Sequence, residues 1–212
     1  MTINYSNLNK VLRDIKNYHL AKLLIVTKNQ SVSDIQDLIK QGFKIFGENK
    51  VQEAKKKFQE INLFEKINLH LIGPLQTNKT KDALKLFDTI QSIDREKLVN
   101  EISNFMKHEQ EIKTKSFYIQ INIGSESQKS GIEKKLLNDF YKYALDRNLN
   151  INGLMCIPPN DSLVKDFFLE MDELRNRLNP NLILSMGMSN DYQVALDCKS
   201  NLIRVGSLIF ND

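Results

Sequence analysis

Two periodicities alternate along this chain. Short apolar runs of strand character recur at LLIVT (23–27), FKIFGE (43–48), LHLIG (69–73), TIQSI (89–93), FYIQINI (117–123), INGLMCI (151–157), LILSM (182–186) and LIRVG (202–206). Each but the last is followed by a segment with helical spacing, at 31–42, 49–61, 77–87, 94–107, 132–147, around 164–178 and at 189–198. Strict β/α alternation implies parallel strands, because a parallel pair needs a crossover long enough to hold a helix. Eight such units predict a closed (β/α)8 TIM barrel, of fold class α/β, with an open doubly wound sheet as the competing architecture. Ser31 is placed to cap the first of these helices and Gly42 to stop it, and Asp94 is placed to cap the fourth. Leu8, Leu12 and Ile15 share one helical face, so residues 1–20 read as an extra N-terminal helix leading into the barrel.

With 212 residues, 41% of them hydrophobic, the chain can bury one core, and no linker or repeat divides it; one domain over 1–212 is expected. Its 30 basic against 26 acidic residues leave a formal charge of +4, scattered in short clusters such as Lys55–Lys57 and Lys134–Lys135 that read as solvated helix faces. An RNA-binding surface would call for a basic stripe with interleaved aromatics, and none is evident, so no nucleic-acid partner is expected. Cys156 and Cys198 lie far apart without a C-x-x-C pairing, which fits a reducing, cytoplasmic setting and no metal site. The charged N-terminus lacks a signal-peptide core, and no run reaches the ~20 apolar residues of a membrane span. No helical face demands a dimer, so a monomer is expected.

In a barrel, chemistry is built at the C-terminal ends of the strands and in the loops that follow. Lys28 closes strand 1, Glu48–Asn49 strand 2, Gly73–Pro74 strand 3, and Asn122 lies near the end of strand 5. Gly187-Met188-Ser189 follow strand 7, and Arg204-Val205-Gly206-Ser207 close strand 8. The last two groups read as a phosphate cradle, in which small residues let backbone N–H groups approach an anion, with Ser189 capping the next helix and its dipole assisting. A lysine across from a phosphate site is the arrangement that holds a phosphorylated aldehyde. Apolar Ile25 and Val26 beside Lys28 would desolvate its amine, making it easier to deprotonate and more nucleophilic. Pyridoxal phosphate and the sugar phosphate of an aldolase both satisfy these residues. His70 reads as a core histidine held by a hydrogen bond, Tyr118 as packing, and Cys156 as an inert buried thiol.

The motifs V-T-K (26–28), F-G-E-N-K-V-Q-E (46–53), H-L-I-G-P-L-Q-T-N-K (70–79) and Q-I-N-I-G-S-E-S-Q-K-S-G-I (120–132) carry a resemblance. So do G-L-M-C-I-P (153–158), S-M-G-M-S-N-D (185–191) and I-R-V-G-S-L-I-F (203–210). In order and over nearly the whole chain, they resemble the pyridoxal phosphate homeostasis protein family. The resemblance implies a barrel like the N-terminal domain of alanine racemase (fold type III), with pyridoxal 5'-phosphate bound as an internal aldimine on Lys28. It implies Arg204 beside the pyridine nitrogen, Ser189, Gly206 and Ser207 around the phosphate, and Asn49 near the ring. Thr27 stands where the family usually has serine, Ser207 where it has threonine, and Asn211–Asp212 end the chain where the family commonly continues with glycine and arginine.

Arginine bears on catalysis directly. A guanidinium has donors only, so facing the ring nitrogen it would keep that nitrogen unprotonated and weaken the electron sink. A racemase also needs acid–base groups on both faces, and the second, in alanine racemase-like enzymes, comes from a tyrosine on a further domain. The expected role is therefore intracellular handling of the cofactor (storage, buffering or delivery to apoenzymes needing it, with other B6 vitamers as further ligands) without dedicated catalysis. A small racemase using the same site is the alternative.

Overall fold

The computed structural model describes residues 3–61, 67–109, 111–126, 128–159 and 163–210. Met1, Thr2 and the Asn211–Asp212 tail fall outside them, as does Ser127 of the fourth motif. The elements run α1 (Tyr5–Lys16), β1 (Lys22–Val26), α2 (Val32–Lys40), β2 (Ile45–Glu48), α3 (Val51–Phe58), β3 (Asn68–Leu71), α4 (Thr80–Leu86) and β4 (Thr89–Ile93). They continue α5 (Glu96–His108), β5 (Ser116–Ile121), α6 (Leu137–Asp146), β6 (Ile151–Cys156), α7 (Val164–Leu178), β7 (Ile183–Ser185), α8 (Tyr192–Asp197) and β8 (Leu202–Val205). The strands pair in sequence order, all parallel, and β8 closes on β1 with Lys22 opposite Leu202 and Ile25 opposite Val205. The chain is a closed eight-stranded barrel, and the open-sheet alternative is excluded.

Alternation along each strand sorts its side chains between two cores. Ile25, Leu69, Leu71, Leu184, Ile203 and Val205 point outward into the layer between barrel and helices. Leu24, Val26, Ile72, Tyr118, Met155 and Leu202 form a separate cluster inside the barrel. The same parity carries chemistry inward. Lys28 extends the inward row of Leu24 and Val26 to the barrel mouth, and Arg204 lies two residues beyond inward-facing Leu202.

Local signals set the helices. Ser31 Oγ accepts the N–H of Asp34 at 3.1 Å, capping α2, and the helix ends before Gly42, whose φ of +94° suits glycine. Asp94 does not cap α5; the N-cap is Arg95, with no side-chain cap bond, and the Asp94 carboxylate accepts from the Arg95 guanidinium instead. In α1, Leu8 and Val11 are buried with Leu12 and Ile15 packed against them. The helix is tied down by Asp14, which accepts from Tyr192 and Gln193 of the α8 segment, and by Ile3 bridging Phe210.

One helix departs from expectation. The Lys55–Lys57 run is not uniformly a solvated face. Lys55 and Lys56 are exposed, but Lys57 is only 8% exposed, because it lies on the stripe that buries Val51, Ala54 and Phe58. Both cysteines are free and buried, and burial pushes the Cys156 thiol up to about 12. Among the described residues no helix is long and apolar enough to cross a membrane.

Candidate functional site

A cavity of about 710 Å³ opens at the C-terminal ends of the strands, within the size range of small-molecule sites. Lys28, Asn49, Ser189, Arg204, Gly206 and Ser207, separated by up to 179 positions in sequence, all line it. Asn122 does not. Its side chain closes the loop after β5, donating to the carbonyl of Glu126 and accepting that residue's N–H. This loop brings Gln128, Lys129 and Ser130 to the rim, and Gln120 Nε2 fixes it by donating to the Ser130 carbonyl at 3.1 Å.

Lys28 is exposed rather than packed among Ile25 and Val26, which corrects the expectation that those neighbours desolvate it. Its ammonium has no hydrogen-bond partner among the described residues. The backbone around it, in contrast, is held tightly. Lys57 Nζ reaches from α3 and donates to the Thr27 carbonyl at 2.7 Å, to Glu48 Oε1 at 2.8 Å and to Glu53 Oε1 at 3.1 Å. Thr27 Oγ1 donates to Glu48 Oε1 at 2.6 Å, and the Asn29 N–H donates to Glu53 Oε1 at 2.7 Å. Burial pushes the Glu48 carboxyl up against the opposing pull of Lys57 and Thr27. At Glu53 burial acts in the same direction, but the Asn29 N–H and Lys57 outweigh it and hold the carboxyl low.

Arg204 is buried at 3% exposure and anchored from behind. Nη1 donates to the Ser185 carbonyl at 2.6 Å and to Ser185 Oγ at 2.9 Å, and Nη2 to the Cys156 carbonyl at 2.8 Å. A guanidinium has five N–H donors. The Nε–H and one Nη2–H therefore remain without a protein acceptor among the described residues, on a side chain that lines the cavity. Burial lowers the Arg204 pKa, countered by the neighbouring Cys156 thiol and Asp191 carboxylate.

Behind Arg204 a polar chain crosses the barrel. Ser185 Oγ donates to Gln91 Oε1 at 2.7 Å, and Gln91 Nε2 lies 2.7 Å from His70 Nδ1. This fixes His70 as the core histidine expected, its pKa lowered to about 3 by burial. His70 and Tyr118 do not reach the main cavity. They line a smaller one of about 400 Å³ at the opposite, N-terminal ends of the strands. Ser185 and Gln91 were not singled out from sequence; both are polar residues at inward positions of barrel strands, the signal that could have found them.

The loops after β7 and β8 meet through Ser207 Oγ, which donates to Ser189 Oγ at 3.1 Å, and the Leu208 N–H, 3.3 Å from the same oxygen. The backbone N–H groups of Ser189, Asn190, Gly206 and Ser207 have no acceptor among the described residues. A Cβ on Gly206 would stand 3.0 Å from both Cβ and carbonyl oxygen of Val26, a contact tight enough that β8 and β1 would have to shift apart by a few tenths of an ångström. Ser189 is not a helix cap. The six-residue α8 begins at Tyr192 with Asp191 as N-cap, and Asp191 Oδ1 turns back to accept the Met188 N–H. What these two loops offer an anion is thus, among the described residues, backbone amides and hydroxyls rather than a helix N-terminus. Burial pushes the Asp191 carboxyl up, opposed by the Met188 N–H and Arg204.

Among the described residues the cavity thus offers orphan amides, a buried guanidinium with unused N–H donors and an amine without a partner, a donor set that fits a phosphorylated pyridine aldehyde. Among the described residues lining the cavity there is no histidine or tyrosine, and no group of His, Cys, Asp and Glu could hold a metal ion.

No protein-family model matches the chain. The chain is 38% identical over 203 residues to the pyridoxal phosphate homeostasis protein of Pasteurella multocida, covering 89% of this chain and 85% of that one. It is 34% identical over 201 residues to the protein of the same name from Aquifex aeolicus, covering 91% and 87%. Among solved structures it is similar to PipY of Synechococcus elongatus, at 27% identity over 97% of this chain and 99% of that one. The TM-score is 0.86 to PipY without pyridoxal phosphate and 0.79 to PipY with it bound. Alanine racemase of Bartonella henselae, 14% identical with a TM-score of 0.75 over 98% of this chain and 59% of its own, shares the barrel fold. By sequence likeness along nearly its full length, on a barrel of the same architecture, the chain belongs to the pyridoxal phosphate homeostasis protein family.

Proposed function

We propose that this chain is a single barrel domain that binds pyridoxal 5'-phosphate, holds it reversibly and covalently through Lys28, and serves its storage, buffering or delivery inside the cell. The observation that carries this reading is the juxtaposition, in one cavity, of a lysine amine and two loops of backbone amides, none of which has a partner among the described residues. When bound, the cofactor supplies an aldehyde that bonds reversibly to amines and a ring that can withdraw electrons. Lys28 would hold the cofactor, since a primary amine condenses reversibly with an aldehyde, one water being released on capture and taken up on release. One lysine therefore suffices to capture and release. Ser189, Gly206 and Ser207 would hold the phosphate, and Asn49, in the same cavity, would stand near the ring. Arg204, which has donors only and cannot accept a proton, would favour an unprotonated ring nitrogen and so retention of the cofactor over chemistry on it.

Release to apoenzymes, and capture of other vitamers that carry the aldehyde, follow from the same reversibility; the chain is read as a monomer because no helical face calls for a partner. The test is borohydride reduction after soaking with pyridoxal phosphate, followed by peptide mass mapping. A pyridoxyl group on the Lys28 peptide is expected; none, or one only on other lysines, refutes the assignment.

The cradle makes its own prediction. Gly206→Val places a branched side chain against Val26 and separates the ends of β8 and β1, at a cost of about 1–3 kcal/mol in stability. Calorimetric titration should show weakened binding of pyridoxal phosphate, while pyridoxal, which lacks the phosphate, binds the variant and the parent alike.

A further inference from the structure

We propose that Lys57, Glu53 and Glu48 are positioning residues for Lys28: a buried ionic clamp that fixes the peptide groups on either side of it and so aims its amine into the cavity before any cofactor arrives. This rests on the reading of Lys28 as the attachment lysine.

Nothing on the Lys28 side chain itself directs it, since its ammonium has no partner among the described residues. Its aim comes from the backbone. On the N-terminal side, the Thr27 N–H continues the sheet by donating to the Gly47 carbonyl at 3.0 Å, while the Thr27 carbonyl accepts from Lys57 at 2.7 Å. On the C-terminal side, the Asn29 N–H is held by Glu53 at 2.7 Å, and Asn29 adopts φ +60°, a left-handed conformation that asparagine tolerates better than most non-glycine residues. The Gln30 N–H closes the turn onto the same Thr27 carbonyl at 3.1 Å.

The clamp is built inward from three elements. Glu48 ends β2 at 0% exposure, Glu53 and Lys57 stand one turn apart on α3, and Thr27 follows β1. All three ammonium donors of Lys57 are used, on Thr27, Glu48 and Glu53. Glu48 Oε2 is buried without a partner among the described residues, so this carboxylate is not placed for its own hydrogen-bond economy. Buried ion pairs are weak contributors to stability, and an apolar side chain of similar size would fill the space as well. What an apolar residue could not do is grip a carbonyl and an N–H flanking one residue.

The test follows the second-order rate at which pyridoxal phosphate forms its covalent adduct with cofactor-free protein, by stopped-flow absorbance. Alongside it, equilibrium binding of deoxypyridoxine phosphate, which lacks the aldehyde, is measured by calorimetry. Lys57→Met is expected to slow adduct formation on the order of ten- to a hundredfold, as misplacement of a reacting group by about 1 Å does, with analogue affinity unchanged. Glu53→Leu, at a partly exposed position, provides the same loosening if Lys57→Met does not fold. Glu53→Gln keeps an acceptor for Asn29 and Lys57 and should recover most of the rate. Adduct formation at the parental rate in a folded Glu53→Leu protein would overturn the proposal, and so would parallel loss of analogue binding, which marks a general structural role. An adduct that forms on another lysine in the parent would instead sink the assignment of Lys28 and leave the clamp without an object.

Discussion

Lys28→Ala is expected to remove the borohydride-trappable adduct completely while leaving the barrel as stable as the parent. The side chain is exposed and its ammonium holds nothing among the described residues, so its truncation belongs with surface substitutions that change stability by no more than about 0.5 kcal/mol. Backbone contacts on both sides of it, through Thr27 and Asn29, do not depend on the residue 28 side chain. Circular dichroism and thermal unfolding should overlay those of the parent, and mass spectrometry after reduction should show unmodified protein. Pyridoxal phosphate should still bind, without a covalent bond, through the loop amides and Arg204. An adduct retained in full by the variant would place the attachment point elsewhere.

Arg204→Glu should behave in the opposite way, failing first in stability. Considered from sequence alone, a carboxylate at this position would favour a protonated ring nitrogen and speed proton exchange at an amino acid's α-carbon. Packing opposes that outcome. The guanidinium satisfies the carbonyls of Ser185 and Cys156, and a carboxylate in its place would face those oxygens with no donor between them. Loss of a buried charged group's partners costs about 3–5 kcal/mol, which at about 2–4 °C per kcal/mol for a chain of this size lowers the Tm by roughly 6–20 °C. Differential scanning calorimetry of the cofactor-free variant measures this directly. A Tm equal to that of the parent would show that the carbonyls find other donors and that Arg204 is held less firmly than its hydrogen bonds imply.

How far the site could be read from sequence depended on whether a residue's role followed from its place on a strand. Lys28, Asn49 and Arg204 are at or near strand ends, and period-two alternation is enough to bring Lys28 and Arg204 to the inward side with Leu24, Val26 and Leu202. Gly206, Ser207 and Ser189 follow from the small residues after the last two strands. Ser189 is not the cap its position suggests, because α8 starts later than its apolar spacing implies, at Tyr192. Lys57 was concealed by composition: three consecutive lysines read as one solvated patch, although the spacing of Val51, Ala54 and Phe58 already turns one of them inward.

The order of elements, the closure into a barrel and the mouth at which Lys28 stands were determined by the sequence, because strand and helix periodicities are local and eight parallel units have few ways to bury both faces of a sheet. Only the tertiary structure decided which buried charges meet. Lys57 finds Thr27, Glu48 and Glu53, and Arg204 finds Ser185 and Cys156, through side chains that reach between elements distant in the chain. Such pairings depend on side-chain length and direction in three dimensions, and local periodicity carries no record of them.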